Sequence, residues 1–218
     1  MESIKRILIF LFLNGILFSQ VTFCQNTDHV ILKFAPLSLL DPYGQNIHFG
    51  AEFIQKGNSS FEVDFAVYIS NSNSRISNRK GFKIKPEIRV FLNKENIVER
   101  NKGLYLANEL FFIKDNFIRS DTFIGYDQEL DTTYLYDDYE IIDRFEIGDN
   151  IKIGYQAVTK QNIIIDSFLG IGLRYYNAKY DRKITDEICC PTMRFFELPV
   201  GKGVVPSYTF GVKVGFKF

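Results

Sequence analysis

The residues able to do chemistry are few, and most of them are charged rather than nucleophilic. Two histidines, His29 and His48, and three cysteines stand in a chain of 218 residues. A histidine working with Ser, Asp or Glu would be the base of an acyl-transfer site, and His48 is the better placed, inside a patterned segment. Neither histidine lies in a His-x-Ser arrangement, and no GxSxG occurs. His48 therefore reads first as a hydrogen-bonding filler, and no catalytic residue, metal or cofactor is expected. Gly201-Lys-Gly203 is too short for a phosphate loop and reads as a flexible rim. Cys189 and Cys190 are adjacent, which suits a vicinal disulfide, pairing between chains or two free thiols. No CxxC or Cys/His spacing supports zinc.

The informative ionisable residues recur at every second position. Glu52, Glu62, Asp64, Lys83, Lys85, Glu87, Arg89, Glu109, Lys152, Asp166, Arg174, Lys213 and Lys217 alternate with apolar neighbours. They share their face with Gly50, Gly154, Gly170, Gly172, Gly211 and Gly215. Six acids against seven bases suits a hydrogen-bonded ionic network, with Glu109 meeting Arg89, Lys85 or Arg174. In a narrow space each ion must be paired, because an unpaired buried charge costs several kcal/mol. The formal net charge is zero, which gives no electrostatic case for nucleic acid.

Strands must position these residues. Alternation is clearest in Ile47–Phe53, Phe61–Val67, Phe82–Val90, Ile151–Ala157, Ile163–Tyr175 and Tyr208–Phe218, and weaker in Val30–Pro36 and Leu104–Ile113. That makes eight strands, most of about ten residues, the length a tilted strand needs to cross a bilayer. No long stretch repeats at period 3.6. Pro86 would cost a ladder bond and predicts a bulge or a rim position. Asn108, on the nominally apolar face, predicts another bulge or a different register.

The connections alternate in length. Lys56–Ser60 and Thr159–Asn162 are tight and Asn93–Gly103 is moderate, whereas Asn116–Asp149 and Lys179–Val204 are long. Asp41-Pro-Tyr-Gly44 and the polar run Ser70–Gly81 mark two more turns on the long-loop side. The Asn116–Asp149 stretch holds Asp121, Asp127, Glu129, Asp131, Asp137, Asp138, Glu140, Asp143, Glu146 and Asp149 among Tyr126, Tyr134, Tyr136 and Tyr139. It reads as a solvated acidic loop. The sharper alternatives are a cation site bridging to lipopolysaccharide phosphates or an adhesive surface. Asp127–Asp131 lacks the glycine and closing glutamate of an EF-hand loop.

Residues 1–24 read as a cleaved export signal, Lys5 and Arg6 preceding the apolar run Ile7–Phe18, which is too short to span a bilayer. Lipidation of Cys24 is the alternative, disfavoured by the bulky Phe23. Residues 25–218 then form one domain. The expected fold is all-β, an eight-stranded antiparallel up-and-down transmembrane β-barrel of the outer membrane with a mostly closed, charge-filled lumen. A soluble lipocalin-like periplasmic carrier would share the strand count with its apolar face turned inward. Eight strands leave too little room for that much Phe, Tyr, Ile and Leu inside.

Tyr208, Phe210, Val212, Val214, Phe216 and Phe218 carry a resemblance to small eight-stranded outer-membrane barrels of OmpA/OmpX type. Leu32–Gly44 similarly resembles the first hairpin of uncharacterised small barrels from Gram-negative bacteria. The resemblance implies an integral outer-membrane protein, a monomer in contact with lipid and lipopolysaccharide. It also implies that Tyr208, Phe210, Phe216 and Phe218 are read by the barrel-assembly machinery. The expected role is structural, or surface interaction through long outer loops. The alternative is a lipid-modifying barrel enzyme with His48 as base.

Overall fold

A computed structural model describes residues 30–40, 45–55, 58–69, 76–92, 102–127, 131–182, 184, 187–188 and 201–218. The export signal with Cys24, the Asp41–Gly44 turn, the Asn93–Asn101 part of the fourth connection and Cys189–Cys190 lie outside these residues. The described chain is all-β. Its strands are β1 (Val30–Phe34), β2 (Asn46–Ile54), β3 (Ser59–Tyr68), β4 (Ile76–Phe91) and β5 (Gly103–Asp127). They continue as β6 (Thr132–Val158), β7 (Ile163–Arg182), the two-residue β8 (Glu187–Ile188) and β9 (Gly201–Lys217). A 3-10 turn, Pro36–Leu40, follows β1.

Eight of these strands form an antiparallel up-and-down ring. Each pairs with its sequence neighbours, β9 pairs with both β7 and β1, and β4 pairs with β5, so no ring strand is left as an edge. β8 adds a short rung to the outer part of β5 at Phe123 and Ile124.

The register fixes the tilt. A line of partners leaves Phe112 through Ile84, Phe65, Phe49, Phe34, Val214, Ile165 and Ala157. It returns to β5 level with Lys102, because Gln156, the residue before Ala157, pairs with Gly103. The strand has been displaced by ten residues between Phe112 and Lys102. Eight strands with that stagger tilt at about 40° and enclose a ring of about 8 Å backbone radius.

Parity sends the charged face inward and the apolar face outward. Leu32, Phe49, Phe65, Phe112, Ile151, Leu169 and Phe210 are exposed, whereas Glu52, Glu62, Arg89, Glu109 and Lys152 are fully buried. The outward apolar run on each strand spans about the ten residues that separate Leu104 from Phe112 or Phe145 from Tyr155.

Several connections differ from the sequence expectation. The stretch 116–149 is not a solvated loop. β5 and β6 pair without interruption out to Asp127↔Thr132, and a turn with Asp131 at φ 50° closes the hairpin. This hairpin projects beyond the ring, flanked by β7 as far as Ile141↔Arg182. The 179–204 connection also shortens, since β7 runs to Arg182 and β9 begins at Gly201. The polar run 70–81 contributes Ile76–Gly81 to β4. Pro86 sits inside β4 paired with Val63, in unbroken register, and is neither at a rim nor at a bulge. The register shift falls instead at Ser77/Lys80, where Asn78 takes φ 52°, a conformation asparagine tolerates. Asn108 faces outward in phase with Ile88 and Ile151, with no bulge. The 159–162 turn is tight as expected, with Asn162 donating to the Thr159 carbonyl at 3.1 Å.

Inward glycines make room for long side chains. A Cβ on Gly154 would lie 2.3 Å from Cζ of Tyr105, its cross-strand partner. Gly154→Ala should therefore push the ring off the wall and lower stability by about 1–3 kcal/mol. Urea unfolding of the refolded protein measures this. The loss should shrink markedly in a Tyr105→Leu background, where nothing crosses Gly154.

Candidate functional site

The site is the ring interior. Its end at the tight-turn rim is apolar, with Ile31, Ile54 and Ile164 packed together and Val158 against them. Phe91, Tyr105 and Ala107 form a second apolar group beside it, with Phe168 attached.

Above this floor lies the main ionic network, centred on Arg89 of β4. Its guanidinium reaches Glu87 at 2.6 Å, Asp166 at 2.7 Å and Glu62 at 2.8 Å, and it lies over the Tyr105 ring at 4.6 Å. The Tyr105 hydroxyl donates to Asp166 at 2.7 Å. Lys33 of β1 joins Glu52, Glu62 and Asp166 at 2.8–2.9 Å and donates to Gln156 at 2.7 Å. Lys213 of β9 bridges Glu62 and Asp64. Lys152 of β6 bridges Glu87 at 2.6 Å and Glu109 at 2.5 Å, and Asn150 donates to Glu109 at 2.9 Å. Ser60 donates to Glu52. All eight ring strands thus meet through side chains, most of them in charge-assisted bonds, the stronger class.

A second cluster lies toward the open rim. Arg144 of β6 grips Asp115 through Nε at 2.9 Å and Nη2 at 2.6 Å. Arg79, from the β4 bulge, donates to the same carboxylate at 2.8 Å and to the Tyr68 hydroxyl at 2.7 Å. Glu146 takes Arg144 at 3.1 Å and Arg174 at 3.5 Å. Phe117, Ile142 and Ala178 pack above, with Ile76 and Tyr180 at their edge.

The expected residues divide between these layers. Glu52, Glu62, Asp64, Glu87, Arg89, Glu109, Lys152, Asp166 and Lys213 meet in the main network. Glu109 does not pair with Arg89 or Arg174. It pairs with Lys152 and, at 3.7 Å, with Lys85. Arg174 belongs to the second cluster. Lys83 is half-buried with its ammonium 4.8 Å from the Tyr68 ring centre. Lys217 is half-buried at the tight-turn rim.

Sequence reasoning missed Lys33, Tyr105, Gln156, Arg79, Asp115, Arg144 and Glu146. Lys33 alternates with Leu32 and Phe34, a signal masked by the shortness of β1. Asp115, Arg144 and Glu146 lay in or beside a stretch read as loop.

His48 faces inward, its Nε2 3.2 Å from Asp64, and is electrostatically coupled to Lys85 and Lys213. Among the described residues, no group of three or more His, Cys, Asp or Glu could hold a metal ion. Tyr208, Phe210, Phe216 and Phe218 point outward and are exposed.

The projecting hairpin carries its own interactions. Arg119 is held by Asp121 at 3.2 Å and by Glu140. Phe123, Tyr136 and Tyr134 form a ladder with 5.8 Å between successive rings. At its tip the Tyr126 hydroxyl donates to Asp131, which raises the phenol above its usual pKa.

Comparison with known proteins returns no match, neither to a family model, nor to a curated protein, nor to a solved structure.

Removing the central cation should separate a buried network from a surface pair. Arg89→Gln leaves Glu62, Glu87 and Asp166 short of a partner and should cost about 3–5 kcal/mol. Lys114→Gln breaks the exposed outward pair with Asp143 and should stay within about 1 kcal/mol of wild type. Urea midpoints of the two refolded variants measure the difference.

Proposed function

We propose that this chain is an integral outer-membrane β-barrel of the small eight-stranded class, with a closed lumen and a structural or surface-interaction role. The observation that carries the reading is the inversion of faces. A ring in water buries its apolar face, whereas here the belt of Phe, Leu, Ile, Val and Tyr is outside and the charges are inside. A lipocalin-like carrier would need the opposite arrangement to hold an apolar ligand.

The length of the belt, the tilt of about 40° and the closure of the ring fit a hydrocarbon layer, in which no strand edge can be left bare. Among the described residues no helix is long and apolar enough to cross a membrane, so strands would do the crossing. Residues 1–24 would direct export and be removed. The outward face of β9, with Tyr208, Phe210, Phe216 and Phe218, would be what the assembly machinery reads.

The chemistry inside the lumen supports its closure. The network side chains from Lys33 to Lys213 bond one another, and the apolar floor of Ile31, Ile54 and Ile164 offers no ion a polar partner. The projecting β5–β6 hairpin is then the surface element. Its exposed Tyr126, Tyr134, Leu135 and Tyr139 would meet partners outside the cell, and its base would lie near lipopolysaccharide. Ring closure satisfies the strands within one chain, which favours a monomer. A lipid-modifying activity would ask His48 to act as base, but His48 lies against Asp64 beside two lysines.

Cell fractionation tests the membrane assignment. The protein should stay with the outer membrane until detergent is added, and unheated samples should migrate anomalously on gels. Ile151→Arg sharpens the test, because Ile151 faces outward at the middle of the belt with 65% exposure. In a membrane barrel the substitution should cost about 2–4 kcal/mol and reduce the assembled fraction. In a soluble ring it would be harmless, and full release of the protein without detergent would defeat the proposal.

A further inference from the structure

The inward charges nearly cancel in sum but are separated by height. Ordered along the ring axis from the register and tilt, the lower tier holds Lys33, Arg89, Lys152 and Lys213 against Glu52, Glu62, Asp64, Glu87, Glu109 and Asp166. The upper tier holds Arg79, Lys83, Arg144 and Arg174 against Asp115 and Glu146 among the described residues. Lys85 stands at the boundary. Among the described residues its carboxylate contact is Glu109 at 3.7 Å, and Glu109 already accepts from Lys152 and Asn150. With Lys217 set apart at the tight-turn rim, the lower tier is therefore acidic by two charges. The upper tier is basic by two, before Lys85 is added and with Lys83 included.

Exposure follows the same division. The side chains of Lys85 and Arg174 are 16% and 27% accessible, whereas Glu109 and Glu146, which they approach, are each at 1%. In these two pairs the cation is the more open partner, whereas Arg79 and Arg144 are buried against Asp115. β9 stands diametrically across the ring from β4, and Thr209 of β9 is level with Lys85. Thr209 and its neighbours Gly170 and Gly172 are half-buried and small, so this wall projects little into the ring. In a narrow cleft with low-dielectric walls, such an excess focuses a positive potential.

We infer that the outer half of the ring interior is a blind vestibule that binds a compact oxyanion, a phosphate or a carboxylate, between Lys85 and Arg174. The anion would enter from the rim opposite the tight turns and stop at the ionic network. Arg174 can offer two parallel N–H groups and Lys85 a point charge. The Thr209 hydroxyl on the far wall supplies a neutral donor. The inference rests on the ring geometry and not on the membrane assignment, so each can fail alone.

Titration of the refolded full chain in detergent with inorganic phosphate, chloride being adjusted to hold ionic strength constant, tests it. Wild type should show one saturable site at millimolar phosphate or below. Lys85→Gln/Arg174→Gln should weaken it by about tenfold or more. Thr209→Glu places a carboxylate of the chain's own in the vestibule. It should abolish phosphate binding and raise the urea midpoint. Absence of saturable binding by folded wild type overturns the inference. So does equal phosphate affinity in a folded Thr209→Glu chain, which would put the ion on the outer surface. Should the double variant not refold, Thr209→Glu decides alone, and its own failure to refold would contradict a spare positive charge and overturn the site.

Discussion

Everything in this fold depends on one constraint: the charged face of a closed eight-stranded sheet has nowhere to go but inward. A ring of about 8 Å backbone radius leaves room for side chains and little else. Each ion placed there loses its hydration and must recover it from another side chain. Arg89 shows how far this goes, with three carboxylates at 2.6–2.8 Å and an aromatic face against one guanidinium. Glycine is the complementary device. Gly154 lets Tyr105 lie flat across its neighbour strand, and Gly211 does the same for Phe168. The ring thereby holds bulky and charged groups in one layer without steric conflict. The cost is weaker strand propensity at those glycines, offset by the aromatic rings that cover them.

The alternation of residues made much of the ring legible, because a period of two states both the element and its face. The eight strands, the inward set from Glu52 to Lys213 and the tight turn at 159–162 follow from that alone. The projecting hairpin did not, and the reason is physical. Beyond Asn116 both faces carry apolar and charged groups, as Phe117 beside Ile118 and Ile141 beside Ile142 show. Beyond the ring the two faces no longer have contrasting surroundings to sort them, so the period fades, and only cross-strand pairing reveals the strands. Pro86 was misread for a related reason. Its missing N–H interrupts pairing toward β5 without shifting the register, whereas the true bulge lies at Asn78, in a run that looked like loop.

The pairing partners lie one level deeper. Parity says that Glu109 and Arg89 share the interior, but strand stagger decides their height. Over ten residues of displacement around the ring, a residue near the middle of β5 rises level with β6 and β4 side chains that no local pattern associates with it. Glu109 therefore meets Lys152 and Lys85, while Arg89 sits lower with Glu62 and Asp166. The same stagger hid the second cluster, in which Arg79 and Arg144 converge on Asp115 although each lay in a stretch with no clear face.

Height also changes what near-neutrality means. A balanced count of acids and bases suggests a lumen that cancels itself throughout, yet the tiers differ in sign and only their sum is close to zero. The acidic lower tier is tolerable because its carboxylates share cations, Lys33 and Lys152 each serving more than one, and because Ser60, Tyr105 and Asn150 add neutral donors. In the basic upper tier Arg79 and Arg144 are buried against Asp115, whereas Lys85 and Arg174 stay partly exposed beside buried carboxylates. A plug built from one uniform network would have no such direction. Separating the signs leaves the lower half as the structural closure and, among the described residues, leaves Lys85 and Arg174 as the more open cations of the upper half.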